Sequence, residues 1–126
     1  MYEFVERYGF SATHRIQSAG ACHASTGAHL HRWVIEIVLI ASQLPPVSHP
    51  SELVELEPVR RYVAWELDGK HLNDVLPVAP TPAYIAGHMA AWCRTNLTGY
   101  AGAAFRSVAV STERHFRVRY LANPGR

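Results

Sequence analysis

The sequence predicts a single α+β domain built on an antiparallel sheet. Two segments with strand-like patterns come first, two segments with helical spacing follow, and two further strand-like segments close the chain. Strands grouped around a central pair of helices are typical of α+β domains. The length of 126 residues and the apolar content of 48% fit one domain with one core, spanning residues 1–126.

The first two strands are predicted from side-chain type and alternation. Residues 2–8 alternate loosely between polar and apolar side chains, and Gly9 is predicted to end that strand. Residues 16–28 are small and polar, which is typical of a loop. Residues 32–41 are β-branched and almost continuously apolar, and they form the strongest strand pattern in the chain.

The central region predicts two helices, and the C-terminal region predicts two more strands. Apolar side chains recur at helical spacing over residues 51–67, with the regular helix expected to begin at Glu57 because Pro58 suits a first helical turn. Thr81 is a suitable N-cap for a second helix over residues 82–96. The closing strands are predicted at residues 104–111 and 115–121.

Composition excludes several classes of function. The formal net charge is +2, and no basic run is interleaved with aromatic residues, so nucleic acid is not an expected partner. No stretch reaches the roughly 20 apolar residues that span a bilayer. Two cysteines make a poor disulfide framework, so we expect a cytoplasmic protein with reduced thiols that does not enter a membrane.

The chain is rich in histidine, with eight residues, and three of them suggest a metal site. His29 and His31 are two apart beside the long strand, so in an extended segment their side chains point the same way. His14 follows the first strand and would lie opposite this pair if the two strands form a hairpin. Three imidazoles leave one tetrahedral position open, which is typical of catalytic zinc. An open position lets zinc polarise a substrate oxygen or acidify a bound hydroxyl.

Five short segments around these histidines resemble motifs of one enzyme family. They are similar, in the same order, to segments of 6-pyruvoyltetrahydropterin synthase and of 6-carboxytetrahydropterin synthase, the latter acting in the queuosine pathway. The similarity runs from about residue 4 to residue 120. The segments are Phe10-Ser11-Ala12-Thr13-His14-Arg15, Cys22 with His29-Leu30-His31-Arg32-Trp33, Leu67-Asp68-Gly69-Lys70-His71-Leu72-Asn73-Asp74, Pro80-Thr81-Pro82-Ala83, and Val110-Ser111-Thr112-Glu113.

The resemblance implies a fold, an assembly and a site. The fold is the tunnelling T-fold, a four-stranded antiparallel sheet with two helices on one face, whose sheets join between subunits into a barrel. The assembly is a homo-oligomer, usually a hexamer, with active sites between subunits. The site holds Zn²⁺ on three histidines that carry over as His14, His29 and His31, and its substrate is the small molecule 7,8-dihydroneopterin triphosphate.

The catalytic residues carry over less completely than the metal ligands. Cys22 matches the cysteine that acts as base, although its spacing to His29 is longer than in most relatives. The alternative is that Cys22 is a small buried residue or a simple loop residue. Asp68 matches the aspartate of the family's Asp-His pair, while Gly69 replaces the histidine. His71 is two residues further on and could supply an imidazole from another direction.

The substrate-binding positions also differ from the family pattern. Thr112 occupies the place of the glutamate that anchors the pterin ring, and Glu113 follows one residue later. In a strand, such a shift sends the side chain to the opposite face, unless a bulge or a turn intervenes. Leu30 replaces a glycine between the paired histidines, and Ala83 stands where a glutamate is usual.

Three functions are compatible with this pattern. The first is a zinc-dependent lyase that acts on 7,8-dihydroneopterin triphosphate or a related pterin. The second is a diverged zinc enzyme of the same fold that catalyses aldol-type cleavage, isomerisation or cyclisation of a non-pterin carbonyl substrate. The third is a relative without catalysis, which the three converging imidazoles disfavour.

Overall fold

A computed structural model of the chain describes residues 1–16, 27–43, 56–97, 103–114 and 116–122. Four strands form one antiparallel sheet in the order β1-β2-β3-β4. The strands are β1 (Tyr2–His14), β2 (His29–Ala41), β3 (Ala103–Ser111) and β4 (Arg117–Leu121). The helices between β2 and β3 are α1 (Glu57–Tyr62), a π-helical turn (Val63–Leu67), α2 (Leu72–Val75) and α3 (Pro82–Asn96). The predicted α+β class is confirmed.

The first hairpin is longer than the sequence predicts. Gly9 does not end β1, which continues to His14 and pairs with β2 along its whole length, from Tyr2 opposite Ala41 to His14 opposite His29. A glycine weakens a strand interior without forbidding it, and Gly9 here pairs with Val34 in mid-strand. The extension matters because it brings all three candidate ligands into paired strands.

The helical region agrees with prediction in its regular parts. The first regular helix begins at Glu57 with Pro58 in its first turn, as expected, while residues 51–55 lie outside the described part of the chain. Its end widens into the π-helical turn before Asp68. The second predicted helix is α3, whose Thr81 hydroxyl accepts a hydrogen bond from the amide of Tyr84 at 3.4 Å. Within the described residues, no helix is both long enough and apolar enough to cross a bilayer.

The hydrophobic core lies between one face of the sheet and the helices. The alternate residues Trp33, Ile35, Ile37 and Leu39 of β2 are fully buried on this face, and Phe10 of β1 lies opposite Trp33. Helix α3 packs against β3 and β4, while the π-helical turn and α2 pack against β1. The core residues that the helices contribute include Val59, Leu67, Leu72, Ile85, Met89 and Cys93.

The opposite face of the sheet carries a buried carboxylate surrounded by arginines. Glu36 is 4% exposed and forms ion pairs with Arg7 at 3.0 Å, Arg117 at 3.4 Å and Arg119 at 2.5 Å. Burial would raise the pKa of Glu36, but the hydrogen bond and charge of Arg119, with the charges of Arg7 and Arg117, hold it below the ordinary value of 4.5. Glu36 is therefore ionised at neutral pH and ties β1 and β4 to the central strand β2.

Replacing Glu36 with Gln is expected to lower the free energy of unfolding by about 2–3 kcal/mol at neutral pH, because charged hydrogen bonds are lost. This loss is smaller than the loss for a fully buried ion pair, because the arginine side chains reach solvent. A carboxyl whose pKa is lowered on folding stabilises the fold above its unfolded pKa and loses that effect as pH falls through the folded value. Urea titrations should therefore show the difference from wild type shrinking below about pH 4.5. An equal loss in the exposed control Glu66→Gln would contradict this role.

Candidate metal centre

The strand register brings the three predicted histidines to one end of the core face. His14 lies directly opposite His29, and His31 is two residues further along β2, opposite Ala12. Paired residues of antiparallel strands share a face, and so do residues two apart on one strand. All three imidazoles therefore continue the stripe of buried side chains that begins with Phe10 and Trp33.

The three rings are close enough to share one ion. Their centroids are separated by 4.9 Å for His14 and His31, 5.5 Å for His14 and His29, and 5.6 Å for His29 and His31. One potential ligand atom from each residue lies within 4.8 Å of the others. Nitrogens bound tetrahedrally to zinc at about 2.1 Å would be about 3.4 Å apart, so small side-chain movements would complete the site.

A backbone carbonyl fixes the orientation and tautomer of His14. Its Nδ1 lies 2.8 Å from the carbonyl oxygen of Pro80, which can only accept, so Nδ1 carries the proton and donates. The lone pair is then on Nε2, which is buried and has no hydrogen-bond partner among the described residues. An unpartnered buried acceptor costs free energy unless something binds it, and a metal ion would do so.

The electrostatic environment keeps the His14 ring uncharged. Burial lowers the pKa of His14 below its ordinary value of 6.5 and outweighs the hydrogen bond to Pro80, which favours the charged ring. The neighbouring His31, His29 and His71 rings lower the pKa further. A neutral imidazole is the form that binds a metal ion, so no proton has to be displaced at neutral pH.

A carboxylate holds the second ligand. Nδ1 of His31 forms a short hydrogen bond with Oε1 of Glu113, and Oε2 of Glu113 accepts from the backbone amide of Arg32 at 2.9 Å. The hydrogen bond from the Arg32 amide is the main cause that lowers the pKa of Glu113. Desolvation opposes this change, and the interaction with His31 lowers the pKa further. Glu113, predicted as a substrate-binding residue, is thus placed beside a candidate metal ligand.

A buried tryptophan supports the cluster from the core side. The Trp33 ring packs edge-on against His14 at 5.0 Å and against His31 at 6.0 Å. Its Nε1 donates to the carbonyl of Ala12 at 3.1 Å, and its face stacks on Phe10 at 6.2 Å. Trp33 and the Pro80 carbonyl are functional groups that our sequence reasoning missed. The carbonyl is a backbone group, so the side chains of the Pro80-Thr81 motif carried no signal for it.

The predicted relay residues lie along β1. Oδ1 of Asp68 accepts from the backbone amide of Ser11 at 3.0 Å, and Nδ1 of His71 is 2.9 Å from the hydroxyl of Thr13. His71 also pairs with Thr13 as an isolated parallel bridge. Between them Gly69 adopts a φ of 75°, a conformation that side chains other than glycine rarely adopt. The segment from Asp68 to His71 is therefore docked against the strand that ends at His14.

The structure describes two of the remaining cysteine and threonine residues considered from the sequence, Thr112 and Cys93. Cys22 lies in residues 17–26, outside the described part of the chain. The Thr112 hydroxyl accepts from the amide of Arg114 at 3.3 Å and so stabilises the turn after β3. Cys93 of α3 is fully buried in the core, and burial raises the pKa of its thiol to about 12.

The donor set suits zinc. Three imidazole nitrogens from two paired strands leave a fourth tetrahedral position free for a substrate oxygen or water, as in catalytic zinc sites. The lone pair of His14 Nε2 is buried and meets no hydrogen-bond donor among the described residues, so binding a metal ion would satisfy it. The residues present therefore fit the metal that the sequence predicts.

Comparisons with known proteins agree with the fold and with the sequence motifs. A family model for 6-pyruvoyl tetrahydropterin synthase matches residues 3–122. The fold resembles an uncharacterized protein from Wolinella succinogenes with a TM-score of 0.76, at 14% identity over 97% of this chain and 98% of that one. It also resembles the 6-pyruvoyl tetrahydropterin synthase of Caenorhabditis elegans with a TM-score of 0.71, at 15% identity over 97% and 96% of the two chains. No curated protein gives a significant sequence match. The tunnelling T-fold is thus confirmed, and the chain belongs to the 6-pyruvoyl tetrahydropterin synthase family.

Proposed function

We propose that this protein is a zinc-dependent lyase that acts on 7,8-dihydroneopterin triphosphate or a related pterin. The observation that carries the proposal is the cluster of His14, His29 and His31, in which the buried Nε2 of His14 has no partner within the described part of the chain. Family membership supports a reaction of the pterin synthase type. When bound, zinc would polarise oxygen atoms of the substrate side chain.

The residues around the cluster suggest how protons would move. Thr13 holds Nδ1 of His71, which leaves the other ring nitrogen to exchange a proton with a bound molecule. Asp68 is close to this histidine in the sequence, and its side chain is held by a hydrogen bond from the Ser11 amide. We propose Cys22 as the base that removes a proton from the substrate, with Asp68 and His71 as its assisting pair.

A turnover assay tests this function. Zinc-loaded protein is incubated with 7,8-dihydroneopterin triphosphate, and products are separated by chromatography. Formation of a 6-substituted tetrahydropterin at a rate that falls in Cys22→Ser would support the proposal. Intact substrate in the presence of one zinc per chain would contradict it, and so would purified protein that takes up no zinc.

The second candidate is a zinc enzyme of this fold that acts on a non-pterin carbonyl compound. Two observations favour it. The hydrogen bonds of Asp68 and His71 run to β1, and Gly69 leaves the usual position of the histidine without a side chain. Both carboxylate oxygens of Glu113 are already engaged. Stoichiometric zinc without pterin turnover, together with aldol-type cleavage, isomerisation or cyclisation of a carbonyl substrate, would support this candidate.

We further propose that the protein is a homo-oligomer closed through the sheet edges, as a hexamer by resemblance to the family. The edge strands β1 and β4 offer ladder groups that can pair with another copy. Exposed apolar side chains accompany both edges, including Tyr2 and Val5 on β1 and Tyr120 and Leu121 on β4. Light scattering at micromolar concentration should give a mass several times that of one chain, and a monomer would contradict the proposal.

A further inference from the structure

Glu113 reaches the metal centre because β3 ends just before it. The ladder between β2 and β3 stops at the pair of Val34 and Ser111. Two residues beyond that pair, the carboxylate of Glu113 takes the place of a ladder acceptor for the Arg32 amide. Side chains alternate between the two faces of the sheet only within a strand. Because Glu113 follows the end of β3, its side chain can turn toward the face on which His31 lies.

The two oxygens of Glu113 have separate roles. Oε2 accepts from the Arg32 amide at 2.9 Å and so fixes the carboxylate against the backbone of β2. Oε1 faces Nδ1 of His31. A carboxylate accepts, so Nδ1 of His31 donates. In the neutral, metal-binding form of the ring the lone pair is then on Nε2, as in the tautomer that the Pro80 carbonyl imposes on His14.

We propose that Glu113 is a positioning residue for the metal, which orients His31 and fixes its tautomer, and is not an anchor for the substrate ring. The inference rests on the metal site of the proposed function. A carboxylate hydrogen-bonded to the far nitrogen of a ligating histidine makes that ligand more basic and restrains its ring. Glu113 is half-exposed, so its hydrogen bonds, rather than core packing, carry its effect.

Zinc affinity measured by competition with a chromogenic chelator tests the inference. Loss of an outer hydrogen-bond partner typically weakens metal binding about 10- to 100-fold, and we expect Glu113→Ala to fall in that range. Glu113→Gln should be intermediate, because its single oxygen can serve His31 or Arg32 but not both. Glu66→Ala, which removes an exposed acid from the π-helical turn, serves as the charge control and should bind zinc as wild type does.

Two further readouts separate positioning from other roles. The visible spectrum of the cobalt-substituted protein should change in Glu113→Ala, since the field at the metal depends on His31. A lowered unfolding temperature of the metal-free variant with an unchanged zinc constant would overturn the inference in favour of a structural role. Unchanged zinc affinity with lost binding of neopterin, the probe for the ring, would overturn it in favour of a ring anchor.

The proposed function and this inference can fail separately. Weaker zinc binding in Glu113→Ala, in a protein that turns over no pterin, would support the inference and contradict the lyase. Wild-type zinc affinity in Glu113→Ala, in a protein that does turn over the pterin, would contradict the inference and support the lyase. Wild-type protein that binds no zinc would overturn both.

Discussion

Replacing His14 with Asn is expected to abolish tight zinc binding while the fold is retained. The amide nitrogen of Asn can occupy the place of Nδ1 and donate to the Pro80 carbonyl, as the imidazole does at 2.8 Å. The shorter Asn side chain has no atom at the position of the buried Nε2, which lacks a partner among the residues that the structure describes. Loss of a direct ligand should exceed the effect of an outer partner, so we expect affinity to fall by more than about 100-fold.

The measurement is zinc content after dialysis, together with the shift in unfolding temperature when zinc is added. Zinc bound only to the folded state raises the stability of the wild type by mass action, and this shift should vanish in His14→Asn. His88→Asn is the matched control, because His88 lies on α3, is half-buried and contacts the Tyr62 hydroxyl at 3.1 Å, outside the cluster. Retention of one zinc per chain in His14→Asn would contradict the proposed ligand set.

The convergence of the three histidines could be predicted from the sequence because strand geometry is simple. A spacing of two places His29 and His31 on one face, and a hairpin places His14 opposite them. The prediction did not need the exact strand ends, which were wrong by several residues at Gly9 and at the start of β2. Alternation is a local property, and it survives an error in where a strand begins or stops.

The surroundings of the ligands could not be predicted because they depend on contacts between distant segments. The Pro80 carbonyl is a backbone group, so the residue type at that position does not indicate its hydrogen bond with His14. The direction of the Glu113 side chain depends on the residue at which β3 ends and the turn begins. A shift of one residue in that end would send the side chain to the opposite face of the sheet. Glu36 lies in a strand of mostly apolar residues. Its burial depends on ion pairs with Arg7 and Arg119, which belong to other strands.

Truncation of Trp33 is expected to have the largest effect on stability. The side chain is fully buried, stacks on Phe10 and donates to the Ala12 carbonyl at 3.1 Å. Replacing a buried Trp with Ala typically costs about 3–5 kcal/mol, from lost burial and from the cavity left behind. Urea unfolding of the metal-free protein should show this loss in Trp33→Ala. The exposed Trp65 offers the control, since Trp65→Ala should change stability by less than about 0.5 kcal/mol.

The conservative variant Trp33→Phe separates the packing of the core from the support of the metal centre. It keeps an aromatic ring beside Phe10 but leaves the buried Ala12 carbonyl without its donor, so we expect a loss of about 1–3 kcal/mol and a folded protein. Because Trp33 contacts His14 and His31 edge-on, zinc affinity should also fall, although Trp33 supplies no ligand atom. A Trp33→Phe protein that loses stability but binds zinc as the wild type does would show that the backbone register and the Nδ1 hydrogen bonds alone hold the imidazoles in place.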